Sequence, residues 1–220
     1  MQLPQSLAAL TPRGPDEIAA AAHATQANVV ALRVAWCRLS GQPMEDHEIK
    51  TPAPGPVRKM REILVDRHVI KSYEPNEIVI RLRQIWGEFC SLCWSFPFVD
   101  PQKPINFNDL PENQSIRCPT EVLTKLDEIQ KHLWRIRHEQ RRRHDSEARK
   151  DPAFHREDEI ALGYPLRIYG VEILNCDDAS LFTAACEYAG MLAALRWASD
   201  HRWTWEAPGI MDVTVRADSL

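Results

Sequence analysis

Between Thr120 and Lys150 the apolar residues Val122, Leu126, Ile129, Leu133 and Ile136 recur at steps of four, three, four and three. That rhythm puts all five on one stripe of an α-helix, and such a stripe demands a partner surface to cover it. After Ile136 the stripe turns polar: its continuation falls on Gln140, Arg143 or His144, and Glu147. The far half of this helix therefore has no apolar face to bury and is expected to project from the core.

On the opposite face Lys131, Arg135, His138, Arg142 and Arg149 keep helical spacing and form a ridge of positive groups. Between Lys131 and His144 stand six Lys or Arg, three His and one acid, Glu139. Phosphate backbones attract such a ridge through counterion release, and that makes affinity steeply salt-dependent. The leading expectation is a non-catalytic subunit of a larger assembly that contacts DNA or RNA backbone through Lys131, Arg135, Arg137, His138, Arg141, Arg142, Arg143 and Arg149. Two other readings stand beside it. In one the ridge grips an acidic partner protein, as an adaptor or inhibitor does. In the other it is a solvated face, since Asp127 with Lys131, Glu128 with His132, Glu139 with Arg143 and Asp145 with Arg149 are acid-before-base pairs worth about 0.2–0.5 kcal/mol each.

The charge of the whole chain sharpens the contrast. Of 220 residues, 44% are hydrophobic, enough for a real core, and the net charge is −4. The segment 120–150 holds nine Lys or Arg against six acids, leaving 18 against 25 elsewhere. An acidic body with a basic spur points to a localised anion site. Eight glycines leave little material for phosphate loops, and neither G-x-G-x-x-G nor G-x-x-x-x-G-K-[ST] occurs. The start, MQLPQSLAALTPRGPDE, has no basic leader before an apolar core, and no run of about 18 apolar residues suggests a membrane span. Six cysteines at irregular places do not form a secreted disulfide framework, so a reducing cytoplasm is the expected compartment.

In chain order, a first helix is expected from Pro15 to about Leu39, opened by Asp16 and Glu17 and stopped at Gly41. Residues 42–56 hold four prolines and a glycine and read as a connector. A short helix over 57–67 follows, then one over 76–94 lined by Ile78, Leu82, Ile85, Phe89 and Leu92. The seams of this helix and of 120–150 match, so the two are expected to pack together, or to pair between copies in an oligomer. Residues 97–119, with five prolines, form a long irregular loop pinned by Phe98, Phe107 and Leu110. After a polar link over 151–159, Leu166, Ile168, Val171 and Ile173 alternate around Gly170 as a bent strand or hairpin. A last helix over 178–201 is capped by Asp177 or Asp178, and the alternating tail 210–216 is a candidate to pair with the strand at 165–174. The fold class is mainly α: a single domain of about five helices with a minor two-stranded β element.

Few residues suggest chemistry. Cys90 and Cys93 have the spacing of a zinc or redox pair, and Cys118 is a third candidate ligand. The pair falls at the end of an amphipathic helix, where the dipole disfavours a thiolate, and no second such pair completes a metal site. Buried inert thiols are the plainer reading, with no cofactor. The acidic runs Glu45–Glu48 and Glu157–Glu159 read as solvated links. An enzyme whose residues meet only in space is the third reading of function. Near the end, Arg202, Trp203 and Trp205 are candidates for stacking on bases or for an interface, against a plain role in sealing the core.

Overall fold

The computed structural model describes residues 10–40, 75–97 and 116–203. The expected connector at 42–56, the helix at 57–67, most of the 97–119 loop, Trp205 and the tail at 210–216 lie outside the described residues. Those described fold into five α-helices and one two-stranded antiparallel sheet, the expected fold class: α1 (Pro15–Ser40), α2 (Pro75–Trp94), α3 (Pro119–His144), α4 (Pro152–Leu162), β1 (Arg167–Ile168), β2 (Val171–Glu172) and α5 (Asp178–Ser199). No helix among them is long and apolar enough to cross a membrane.

Local chemistry sets the helix starts. Four of the five helices begin at a proline, whose missing N–H is no loss in the first turn. Glu121 turns back to accept from the Cys118 N–H at 3.0 Å, the Asp151 carboxylate accepts from Ala153 N–H at 2.8 Å, and Asp177 accepts from Ser180 N–H at 2.6 Å. Asp177 is thus the cap of α5. The Asp151 cap also explains why the supposed polar link at 151–159 is helix α4: with Pro152 behind it, the segment turns Phe154 and Ala161 inward. At the other end of the basic run, α3 stops at His144 and does not reach Lys150. Asp145 leaves helical geometry, and its carboxylate accepts from Ala148 N–H at 2.8 Å to open a short 3₁₀ turn, Ala148–Lys150.

The helices pack in the order α1, α2, α5, α3. The seams of α2 and α3 do not meet as expected, because α5 lies between them. Its residues Leu181, Ala184, Ala185, Ala189, Leu192 and Leu195 cover the stripe of Leu126, Ile129, Leu133 and Ile136 on α3. Its far end joins a second cluster, in which Ala194 and Ala198 meet Leu92 and Phe96 at the end of α2 and Ile18 and Ala22 at the start of α1. So α2 and α5 run in the same direction, with α1 and α3 opposed. A helix buried on several sides needs small residues, and α5 supplies alanine and glycine. A Cβ at Gly190 would stand 2.0 Å from the backbone oxygen of Gln84, and one at Gly87 would stand 2.0 Å from that of Glu187. The two helices therefore cross backbone to backbone at this pair of glycines.

The strand signal around Gly170 resolves as a hairpin pairing Arg167 with Glu172 and Ile168 with Val171. Its two loop residues, Tyr169 and Gly170, have φ of 50° and 82°, the handedness that fits a two-residue hairpin turn. Glycine adopts this freely, while Tyr169 is held there by its hydroxyl, which donates to Glu187 at 2.7 Å. Arg83 of α2 donates to the other oxygen of Glu187 at 3.2 Å, so one carboxylate on α5 ties down both the hairpin tip and α2.

Candidate interaction site

The far half of α3 does not stand clear of the body. Arg135 is 1% exposed and Glu139 0%. Glu139 gathers three guanidinium groups: Arg135 donates to it at 3.3 Å, Arg142 at 3.0 and 2.6 Å, and Arg143 at 2.8 Å. Arg143 goes on to the carbonyls of Cys176 at 2.7 Å and Ile173 at 3.1 Å, and to the Asp178 carboxylate at 3.1 Å, thereby seating the start of α5. His144 meets the second oxygen of Asp178 at 3.1 Å.

The remaining cations of the ridge are mostly matched as well. Lys131 donates to Asp127 at 2.6 Å on the exposed side. Arg141 lies 3.6 Å from Glu157, and the buried His138 is 2.9 Å from Asp158, both acids belonging to α4. Phe154 of α4 stacks on the His138 ring at 4.6 Å and lies beneath the Arg141 guanidinium at 5.2 Å. Arg137 is half-buried, while Arg149 is exposed and takes no part in these pairs. Helical spacing places Lys131, Arg135, His138 and Arg142 on one face correctly, but of these only Lys131 is exposed, and Arg149 lies beyond the end of the helix. The Glu139–Arg143 pair read from the sequence is present, and what that reading lacked was the weight of Glu139 as the lone acid of the run, with arginine also four residues before it and three after.

Burial alone would push the Glu139 carboxyl up, but hydrogen bonds from Arg142 and Arg143, the Arg142 charge and Arg135 outweigh it and hold the group at about 2 against an ordinary 4.5. A carboxylate depressed on folding stabilises fully above its unfolded value, and its contribution disappears as pH falls through the folded value. Glu139 is therefore expected to contribute about 3 kcal/mol at neutral pH, lost progressively between pH 4.5 and 2. Urea melts at neutral pH and at about pH 3 check this. Equal stability at both would mean that the carboxylate is not gripped.

The other candidates among the described residues are mixed: Trp203 and Cys90 are half-buried and Cys93 is buried, while Arg202 and Cys118 are exposed. Asp200 is fully buried; Arg202 donates to it at 2.8 Å and, against burial, holds its carboxyl at about 2. Trp203 is half-buried, with Arg196 5.5 Å from its ring centroid and Arg13 donating to its carbonyl at 3.2 Å. Arg13 also lies over the Trp197 ring at 4.3 Å, so residues 11–13 are fastened to the end of α5. Cys93 is buried and Cys90 half-buried; burial pushes the Cys90 thiol up to about 12 and raises that of Cys93 too, which disfavours thiolate chemistry. Cys118 is exposed at the start of α3. Among the described residues no three His, Cys, Asp or Glu groups are placed to hold a metal ion. A hollow of about 380 Å³, open to solvent, is lined by Arg83, Tyr169, Asp177 and the start of α5.

Among the described residues, exposed apolar side chains concentrate in one stretch. In the fifteen residues from Ile160 to Leu174, Ile160 is 66% exposed, Leu162 53%, Tyr169 60%, Val171 46% and Leu174 47%. Sequence reasoning passed over this stretch because it read Val171 as part of a strand and did not single out the other four. No family model, no curated protein and no solved structure matches the chain.

Proposed function

We propose that the chain is a non-catalytic, protein-binding helical subunit, and that the excursion between α3 and α5 is where it meets its partner. The observation that supports this is the contrast just described: the cations of α3 are largely paired within the molecule, whereas five large apolar side chains are displayed within fifteen residues. Scattered exposed leucines need no explanation, but a concentration of this kind on one excursion favours a binding surface. A photoreactive residue at Leu174 tests it. Crosslinking to a partner of defined size is expected, with loss of the adduct in Val171→Lys; an adduct unaffected by that charge removes the reading.

Contact with nucleic-acid backbone is the second reading, favoured by Arg149 and Arg156, which are exposed and outside the ion pairs above. Among the described residues these two cations would contribute a salt slope of about −2 on logarithmic axes. Titrations of labelled single-stranded and duplex DNA and RNA are expected to lose that share on charge reversal at Arg149 and Arg156 and to ignore charge reversal at Arg142. A slope of about −5 or steeper, abolished by the reversal at Arg142, reinstates the nucleic-acid reading as the first.

A further inference from the structure

From the packing of α4 we infer that the face of α3 beneath it is a docking surface for an acidic amphipathic helix of a partner protein, with α4 as its resident occupant in cis. This rests on the protein-binding reading above and adds to it the chemistry of the partner.

Three features of α4 carry the inference. It is attached thinly: of its eleven residues only Phe154 and Ala161 are buried. Helices this short are marginal in isolation, so α4 depends on its seat for its structure. Next, the seat is complementary in both shape and charge. Phe154 stacks on His138 at 4.6 Å, and three and four residues further on Glu157 and Asp158 meet Arg141 at 3.6 Å and His138 at 2.9 Å. One turn of helix thus presents an aromatic ring and two carboxylates to an aromatic and cationic face. Last, the outward side of α4 carries Ile160 and Leu162, both largely exposed, so a partner has apolar contacts available before α4 leaves. The seat under α4 remains organised without it, because Arg135 and Arg142, one turn to either side of His138, are fixed by Glu139 and not by α4. The ligand that fits is a helix with the pattern Phe-x-x-Glu-Asp, from another chain, competing with the copy in cis.

The probe is a fluorescent peptide of residues 152–162, PAFHREDEIAL, titrated against the full chain and against the full-chain double variant Glu157→Gln/Asp158→Asn. The cis helix acts at high effective concentration, so the intact chain is expected to bind the peptide weakly and the variant at least tenfold more tightly. Hydrogen exchange across 152–162 of the variant is expected to rise while α3 and α5 stay protected. Arg141→Glu in the opened variant should abolish the gain. The single variant Phe154→Ala, which leaves every charge in place, should loosen α4 in the same way. Unchanged exchange overturns the inference, since the named contacts then do not hold α4. Raised exchange without tighter peptide binding overturns it too, as does an opened variant that prefers a single-stranded oligonucleotide to the peptide. These outcomes are separate from the crosslinking at Leu174, which tests protein binding whether or not α4 moves.

Discussion

Alanine in place of Gly190 is expected to destabilise the fold by more than about 3 kcal/mol, a large share of what a domain of this size possesses. In an isolated helix the same change would help, by about 1 kcal/mol, since glycine is a poor helix former. Here the added methyl meets the backbone oxygen of Gln84 at 2.0 Å, and a carbonyl inside a helix cannot rotate aside as a side chain can. Relief requires α2 and α5 to separate along their length, which opens the packing around both helices. Gly87→Ala meets the Glu187 oxygen at the same distance and should cost as much. The double variant should cost clearly less than the sum, because one separation accommodates both methyls; a coupling above about 1 kcal/mol in urea melts is the expected signature. Additive small losses would mean that the helices do not touch at their backbones.

The two glycines also show where sequence reasoning reached and where it stopped. Helix starts were legible because prolines and capping carboxylates act on their own neighbours, and the stripe of α3 was legible because burial on one side leaves a periodic trace. For α5 the trace covers one side only: Leu181, Ala185, Tyr188, Leu192 and Leu195 keep the same rhythm toward α3, whereas the side toward α2 carries small residues such as Gly190, so its place between two helices was hidden. The same limit applied to α4, whose eleven residues bury only Phe154 and Ala161, too few to set a rhythm. The basic ridge failed for another reason. Spacing tells which residues share a face, but the direction in which an arginine turns depends on where the nearest carboxylate lies, and four of the acids that matter, Glu139, Glu157, Asp158 and Asp178, come from three separate helices.

Glu139 is accordingly the residue whose loss should be felt most among the charged groups. Glu139→Ala removes the carboxylate but leaves Arg135, 1% exposed, and the inner ends of Arg142 and Arg143 facing one another without a counter-charge. Breaking a buried pair by deleting one partner typically costs 3–5 kcal/mol, and three guanidinium groups around one vacancy place this case at the upper end of about 5 kcal/mol. Glu139→Gln keeps the shape and one of the two carboxylate oxygens, so it should cost less, yet it should remove the share of Glu139 in the acid dependence between pH 4.5 and 2, leaving that of Asp200. The decisive comparison is Glu139→Leu combined with Arg135→Met. An ion pair replaced by apolar side chains of similar volume no longer carries its desolvation penalty, so the double variant should recover the part of the loss that comes from the buried Arg135, while Arg142 and Arg143 still lack their acceptor. Recovery with the nucleic-acid titration unchanged would show that this cluster holds α3 to α5 and takes no part in recognition, whereas a gain in salt-dependent affinity on freeing Arg142 and Arg143 would show that the carboxylate had been masking them.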